Sequence, residues 1–350
     1  MEQQSHASQP DPSKIMQIGM GYWASKTLLT AVQFGLFSLL AGQSKSMKEI
    51  KETLQLKTTD RHVYDWLDAL VSMGLLRREG LLDNATYTDS SDTEMFLDEK
   101  KPSYIGGIFK MSNSRLYKFW GSLDEALKTG ETQNESRGGS EMHFFNDLYK
   151  NPEKLSEFVE AMSGIQMGNF RMLAQKFDFG KFNTMADVGG ANGLLSCILA
   201  SHYPNVSFIN YDLPPVAPVA KKNIEKHNLS DRIKVESGDF FKDPIPSADL
   251  VTMGNILHGL NEESKINLMK KVYDALPPNG AFMAIENIID NDRNQNTFGL
   301  LMSLNMLIEN GDAFDYTMND FERWAKAAGF KRTELLTLAG PTSAAIAYKE

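Results

Sequence analysis

Between Ile15 and about Leu127, apolar residues recur every three or four positions; beyond about Phe177 they gather into short runs. The first pattern predicts helices. The run TLLTAVQFGLFSLLAG, Thr27 to Gly42, reads as one buried helix of a subunit interface. Its sixteen residues, with Gln33 inside and Lys26 beside them, are too few to span a bilayer. The stretch KEIKETLQLKTTDRHVYDWLDALVSMGLLRREG predicts a short helix, a turn and a second helix, with Leu67, Leu70, Val71 and Leu75 on one face. LLRREGLLDNATYTD then alternates around Gly80 and Asp83-Asn84, a hairpin signal. Helix, turn, helix and hairpin together outline a winged helix.

The polar KTGETQNESRGGSEM, Lys128 to Met142, predicts a loop between two halves. Past Phe177, TMADVGG, SFINYDL, IKVESGD, DLVTMGNIL and AFMAIENII read as strands, and LLSCILASHY and NEESKINLMKKVYDAL as helices. Such alternation predicts an α/β fold with a Rossmann-like, doubly wound parallel sheet. Ligands of such sheets lie beyond the carboxyl ends of the strands.

Composition narrows the class. Hydrophobic residues at 42% and charged residues at 23% are ordinary for a globular enzyme. A net charge of −9 leans against a nucleic-acid partner. The second helix of the winged unit carries Asp60, Asp65 and Asp68 against Arg61 and His62, a poor balance for approaching phosphates. Structural use of the winged shape is therefore expected. Cys197 stands alone, which leaves no intramolecular disulfide and no Cys-based metal site, as suits a reducing cytosol. MEQQSHASQPDPSK lacks the basic-then-apolar order of a signal peptide. A soluble, cytoplasmic chain without membrane attachment is predicted.

The chemistry gathers at MADVGGANG, Met185 to Gly193. A dinucleotide fingerprint starting at Gly189 requires glycines at 191 and 194, where Ala191 and Leu194 stand. The stretch instead reads D-x-G-x-A-x-G. Its small residues let a ligand approach the backbone, and Asp187 suits a cationic amino group better than a pyrophosphate. The next strand ends in Asp212, where an acid accepts from ribose hydroxyls, and the third in Asp239 and Phe240, an acceptor and a ring for a purine. A lone aspartate at a strand end is ordinarily a turn former or cap. Three in register, with no basic counterpart, point to a cationic nucleoside such as S-adenosylmethionine. The candidate cofactor set is Asp187, Gly189, Gly190, Gly193, Asp212, Leu213, Gly238, Asp239, Phe240 and Asn255.

The blocks DVGGANG, YDLPPV, SGDFF, NILHGLNEESK, AFMAIENIIDN, FERWAKAAGF and GPTSAAIAYK occur in that order. In this the chain resembles the class I S-adenosylmethionine-dependent O-methyltransferases that include hydroxyindole and plant caffeic-acid-type enzymes. Its QIGMGYWASKTLLTAVQFGLFSLLA is similar to their dimerisation segment. The resemblance implies a homodimer with interlocked N-terminal helices, S-adenosylmethionine as donor and S-adenosylhomocysteine as product. It places Gly189 and Gly193 at the methionine moiety, His258 at the general base, and Glu286 and Asp315 at two flanking acids. Met162, Met306 and Asn310 fall at acceptor-lining positions, and the candidate acceptor set adds Phe158 and Met302. Singly, Met302 and Met306 are also ordinary core filler. The expected organisation is a disordered tail over 1–14, a winged-helix-like dimerisation domain over 15–112, a helical connection contributing to the acceptor pocket over 113–176, and the catalytic domain over 177–350. Two positions depart from the family: Gly259-Leu260 replace the usual Asp-Trp after the histidine, and Gly254 replaces a lysine. The first removes an acid that a metal would use, so no metal is expected.

Methyl transfer from a sulfonium needs alignment and removal of the acceptor's proton. A histidine, mostly neutral at working pH, suits the second task, with Glu286 or Asp315 fixing its tautomer. The leading expectation is methylation of a hydroxyl on a small aromatic or polyketide-like molecule. The alternatives are a carbon- or nitrogen-directed or non-methylating relative, and a winged-helix regulator that senses S-adenosylmethionine.

Overall fold

The computed structural model describes residues 10–135, 137 and 148–350. Most of the expected tail, residues 1–9, lies outside the described residues, as do 136 and 138–142 of the expected loop; a helix already begins at Ser13. The chain divides into two compact units, Met1–Ser114 and Arg115–Glu350.

In the first unit the apolar run from Thr27 to Gly42 is two helices, not the single one its hydrophobicity predicts. Gly21–Gln33 ends before Gly35, whose φ of +69° is the left-handed conformation glycine adopts freely, and Leu36–Leu40 restarts the chain in a new direction. The turn lets Ala31, Val32, Leu36, Phe37 and Leu40 enter one core with Val63, Leu67 and Leu70. Helix Met47–Thr53 starts with a capping box between Ser46 and Glu49, and Thr59 caps helix Asp60–Ser72. Strands β1 (Lys45–Ser46), β2 (Leu76–Glu79) and β3 (Thr86–Asp89) follow as a sheet in the order β1-β3-β2. The predicted helix-turn-helix and hairpin are thus present. The acids of the second helix are engaged within the unit: Asp60 with Lys51, Asp65 with Arg61 and Asp68 with Arg78.

The second unit is built on seven strands: β4 (Thr184–Val188), β5 (Ser207–Asp212), β6 (Ile233–Ser237), β7 (Leu250–Gly254), β8 (Ala281–Glu286), β9 (Arg332–Thr337) and β10 (Ser343–Tyr348). Their order is β6-β5-β4-β7-β8-β10-β9. The first five are parallel, as the alternation predicts. Strand β10 runs antiparallel to both β8 and β9, so the sheet is mixed and larger than expected. The alanine-rich SAAIAY has little intrinsic strand preference; it is a strand because its two neighbours and both covering layers bury it. Successive residues take opposite faces. Ala186, Val251, Phe282 and Ala345 meet helices Glu262–Ala275 and Met318–Ala328 through Leu268, Met269, Phe321 and Trp324. Met185, Leu250, Met283 and Ala344 meet helices Leu194–His202, Ala217–Lys226 and Pro152–Lys176 through Leu195, Leu199, Ile224 and Leu173. Buried on both faces through its central strands β4, β7, β8 and β10, the sheet holds its strand tips in fixed register.

Candidate active site

The glycine loop leaves β4 and is tied to the end of β5. Gly189 and Gly190 both donate their N–H groups to the carbonyl of Tyr211 (2.8 and 3.2 Å). Asp212 completes the tie, one oxygen accepting from Ala191 N (2.8 Å) and the other from Leu213 N (2.7 Å). Neighbouring side chains require the glycines. A Cβ on Gly189, at φ +75°, would stand 2.6 Å from Ile256 Cδ1; one on Gly190 would stand 2.2 Å from Asn210 Oδ1; one on Gly238 would strike the Tyr211 hydroxyl at 2.2 Å. Gly193, also at φ +75°, starts the helix beyond the loop.

Asp187 is 4% exposed and accepts from Thr252 Oγ1 on β7 (2.7 Å). Burial pushes its carboxyl up to about 7; the Thr252 bond opposes this and the nearby Asp212 charge adds to it. Burial also raises Asp212. Two carboxyls held at a cost beside a bare loop fit a cationic ligand. Asp239 differs. It accepts from Phe241 N within its own turn and pairs with Lys242 at 2.8 Å, and that lysine holds it below the usual carboxylate range. The expectation of three acids without a basic counterpart is corrected here: Lys242 answers Asp239, having followed it around a turn that strand reading does not resolve. Phe240 packs at the edge of the sheet core, and Gly238 N bonds to Asp212 O (3.0 Å), linking the tips of β5 and β6.

On the other side of β4, Asn255 leaves β7 at φ +53°, a left-handed position asparagine tolerates, with its N–H on Ile285 O. A short turn, Leu257–Gly259, then presents His258. The two expected acids take different parts. Glu286, at the tip of β8 and 1% exposed, accepts from the backbone N–H of Ile256 (2.8 Å) and of His258 (3.3 Å), so it shapes the turn. Asp315 stands beside the ring: His258 Nδ1 lies 3.4 Å from its Oδ1, within ion-pair range though long for a hydrogen bond. Its backbone N–H is held by Ser303 Oγ (3.2 Å). Burial opposes the imidazolium, but the Asp315 contact and the charges of Glu286 and Asp315 outweigh it, and His258 titrates above its ordinary value. Burial raises Glu286, and Tyr316 is raised well above the usual phenol range. Among the described residues no group of His, Cys, Asp or Glu is arranged to hold a metal ion.

Of the acceptor candidates, Met302, Met306 and Asn310 lie on helix Thr297–Asn310, and Asn310 Nδ2 reaches Gly259 O at 3.4 Å, beside His258. Met162 and Phe158 lie on helix Pro152–Lys176. Phe158 packs against the same buried cluster, Leu155, Val159 and Val216, that Ala191 and Leu213 also pack against. Next to Met162, buried Ser163 donates to Asn192 Oδ1 (2.7 Å), fastening that helix to the glycine loop. Sequence reading missed Ser163, Thr252 and Tyr316: none belongs to a motif, and register alone pairs Thr252 with Asp187.

A sheet in this order, with β10 reversed and a glycine loop after its central strand, defines a Rossmann-like methyltransferase. Residues 120–331 match the family model of the O-methyltransferase domain, and residues 16–99 that of the O-methyltransferase dimerisation domain. The tetracenomycin polyketide synthesis 8-O-methyl transferase of Streptomyces glaucescens is 35% identical over 98% of both chains, and an N,N-dimethyltransferase of Streptomyces rimosus 28% identical over 91% of this chain and 90% of that one. The crystal structure of human N-acetylserotonin methyltransferase with its methyl donor superposes with a TM-score of 0.88, at 26% identity, covering 98% of this chain and 99% of that chain. The chain belongs to the S-adenosylmethionine-dependent O-methyltransferase family. No helix among the described residues is long and apolar enough to cross a membrane.

Proposed function

We propose that this enzyme methylates a hydroxyl group of a small aromatic or polyketide-like acceptor, with His258 as the general base. The observation that carries the base is the imidazole's setting: Nδ1 faces buried Asp315 at 3.4 Å while Glu286 grips the turn beneath it. Bound S-adenosylmethionine supplies a methyl carbon on a cationic sulfur, and the chain's residues do the rest. Asp315 would hold the proton on Nδ1, which leaves Nε2 to take the proton of the acceptor's hydroxyl. The imidazolium that forms faces two carboxylates. Asp187 and Asp212 suit the amino and ribose groups of the donor, with Gly189, Gly190 and Gly193 beside the methionine part, Leu213 and Asn255 flanking, and Gly238, Asp239 and Phe240 around the base. Phe158, Met162, Met302, Met306 and Asn310 line the acceptor in this reading, and the helices over 113–176 contribute to that pocket.

The polyketide acceptor class rests on the tetracenomycin relative, and the Streptomyces rimosus relative keeps a nitrogen acceptor as the second reading. We infer a homodimer formed through the N-terminal unit, whose outer helices expose Ile15, Ile18 and Trp23. A winged shape with its acids already paired is structural in this reading, without a nucleic-acid partner, and the lone buried Cys197 accords with a cytoplasmic setting. The test is His258→Ala assayed with isotope-labelled donor against phenols, hydroxyindoles, hydroxylated polyketides and amines. Turnover is expected to fall by about 10²–10⁴-fold with donor affinity kept. Unimpaired methylation refutes the base; methylation of amines alone refutes the acceptor atom.

A further inference from the structure

Behind the imidazole lies a buried cation that the chemistry above does not use. Lys265, near the start of helix Glu262–Ala275, has no solvent exposure. Its ammonium donates to the carbonyls of Leu260 (2.5 Å) and Phe314 (2.9 Å) and sits 3.5 Å from the centre of the Phe314 ring, with Trp324 and Tyr316 at 5.3 and 5.8 Å. Removing an ammonium from water carries a steep desolvation penalty. An apolar side chain of the same length would fill this aromatic surround without that cost. What the ammonium joins gives it a role. Leu260 lies two residues beyond His258, and Phe314 immediately precedes Asp315. One cation therefore draws together the two segments that carry the imidazole and its carboxylate.

Its charge acts as well as its reach. The imidazole faces Glu286 on β8, Asp315 ahead of helix Met318–Ala328, and Lys265 on helix Glu262–Ala275. The ammonium faces Glu286, Asp315, Glu262 and Asp312. Burial lowers Lys265 to about 8 while those four acids oppose the change, and the ammonium in turn works against a second positive charge on His258. We propose that Lys265 is a positioning residue for methyl transfer: by tying the His258 turn to the Asp315 segment and placing a positive charge behind them, it aligns the imidazole and keeps it free to accept a proton. This inference rests on His258 being the base.

The test uses the intact enzyme carrying Lys265→Met, an apolar side chain suited to the three surrounding rings, and Lys265→Arg. Three quantities are read: kcat against pH at saturating donor, affinity for S-adenosylhomocysteine, and the His258 midpoint by carbon-13 histidine NMR, its signal identified by loss in His258→Ala. In Lys265→Met we expect product affinity within about two-fold of the parent and kcat lower by about ten-fold. The acid limb of kcat and the His258 midpoint should move together to higher pH by about half a unit, because losing a positive neighbour favours the imidazolium. Lys265→Arg should hold the midpoint near the parent's. A Lys265→Met enzyme with altered melting temperature but unmoved kcat and midpoint overturns the proposal, as does failure of both variants to fold, which would make the lysine purely structural. Full activity in His258→Ala, with the midpoint still shifted in Lys265→Met, would retire the base while leaving the Lys265–His258 link standing.

Discussion

Replacing Asp315 by Asn tests the proposed site most directly, because it removes a charge and almost no volume. In the parent the carboxylate is 1% exposed and 3.4 Å from Nδ1; at the effective dielectric of about 20 that suits such sites, attraction to a full imidazolium at that distance is about 5 kcal/mol. Only part is lost from the barrier, since the proton is partly transferred at the transition state and Glu286 keeps its charge. A loss of about 2–3 kcal/mol corresponds to a fall in kcat of roughly 30- to 160-fold. The amide also offers an N–H towards Nδ1, which favours the wrong tautomer and adds to the loss. The Asp315 contact and charge both raise the imidazole's pKa, so the acid limb of kcat against pH should move to lower pH while the plateau drops. Donor affinity, measured by calorimetry, should stay within about two-fold, and the melting temperature within a few degrees, since the imidazole left beside a neutral amide sheds its proton instead of remaining a buried, unpaired charge. A variant with kcat within about two-fold of the parent and an unmoved acid limb would refute the pairing. So would a collapse in stability large enough to explain the lost activity.

Asp187→Asn should stabilise the ligand-free enzyme at pH 8. With the native carboxyl pushed up to about 7 and the unfolded one near its usual 4, the native state binds more protons between those values and loses stability as pH rises through them. The variant should flatten that fall in thermal scans while binding S-adenosylhomocysteine about ten-fold more weakly; a lower melting temperature at pH 8 would count against it. Gly190→Ala puts a methyl 2.2 Å from Asn210 Oδ1 and 2.9 Å from the main-chain oxygen of Asp187, which cannot swing away. Urea unfolding should show a loss of about 1–3 kcal/mol, and unchanged stability would mean the loop relaxes freely. Trp23→Glu, on a side chain 60% exposed in the single chain, should turn the dimer into monomer in light scattering at micromolar concentration; an intact dimer would move the interface elsewhere.

Local patterns carried the reading furthest where one face or one turn decides the outcome. The strand ends near Asp187, Asp212 and Asp239 depend on neighbours close in sequence and are legible there, whereas the caps at Ser46 and Thr59, although just as local, leave no mark in the hydrophobic pattern. Gly35 lay in plain sight within an apolar run, yet hydrophobicity alone did not reveal that its left-handed turn splits the helix. Tertiary structure decided whatever depends on register between distant segments. Strand β10 exists because β8 and β9 accept its backbone hydrogen bonds, although its alanines prefer other conformations. Both acids beside His258 were expected there from the family resemblance, but their separate parts were not legible. Glu286 reaches the turn from the neighbouring strand and Asp315 reaches the ring from beyond helix Thr297–Asn310. Lys265, one cation among many in the sequence, became distinctive only through burial against carbonyls from two separate segments. Residue order determined the kinds of element and the chemistry at their ends. Packing determined which groups meet, because burial and charge act through distance in space and sequence encodes that distance only through the completed fold.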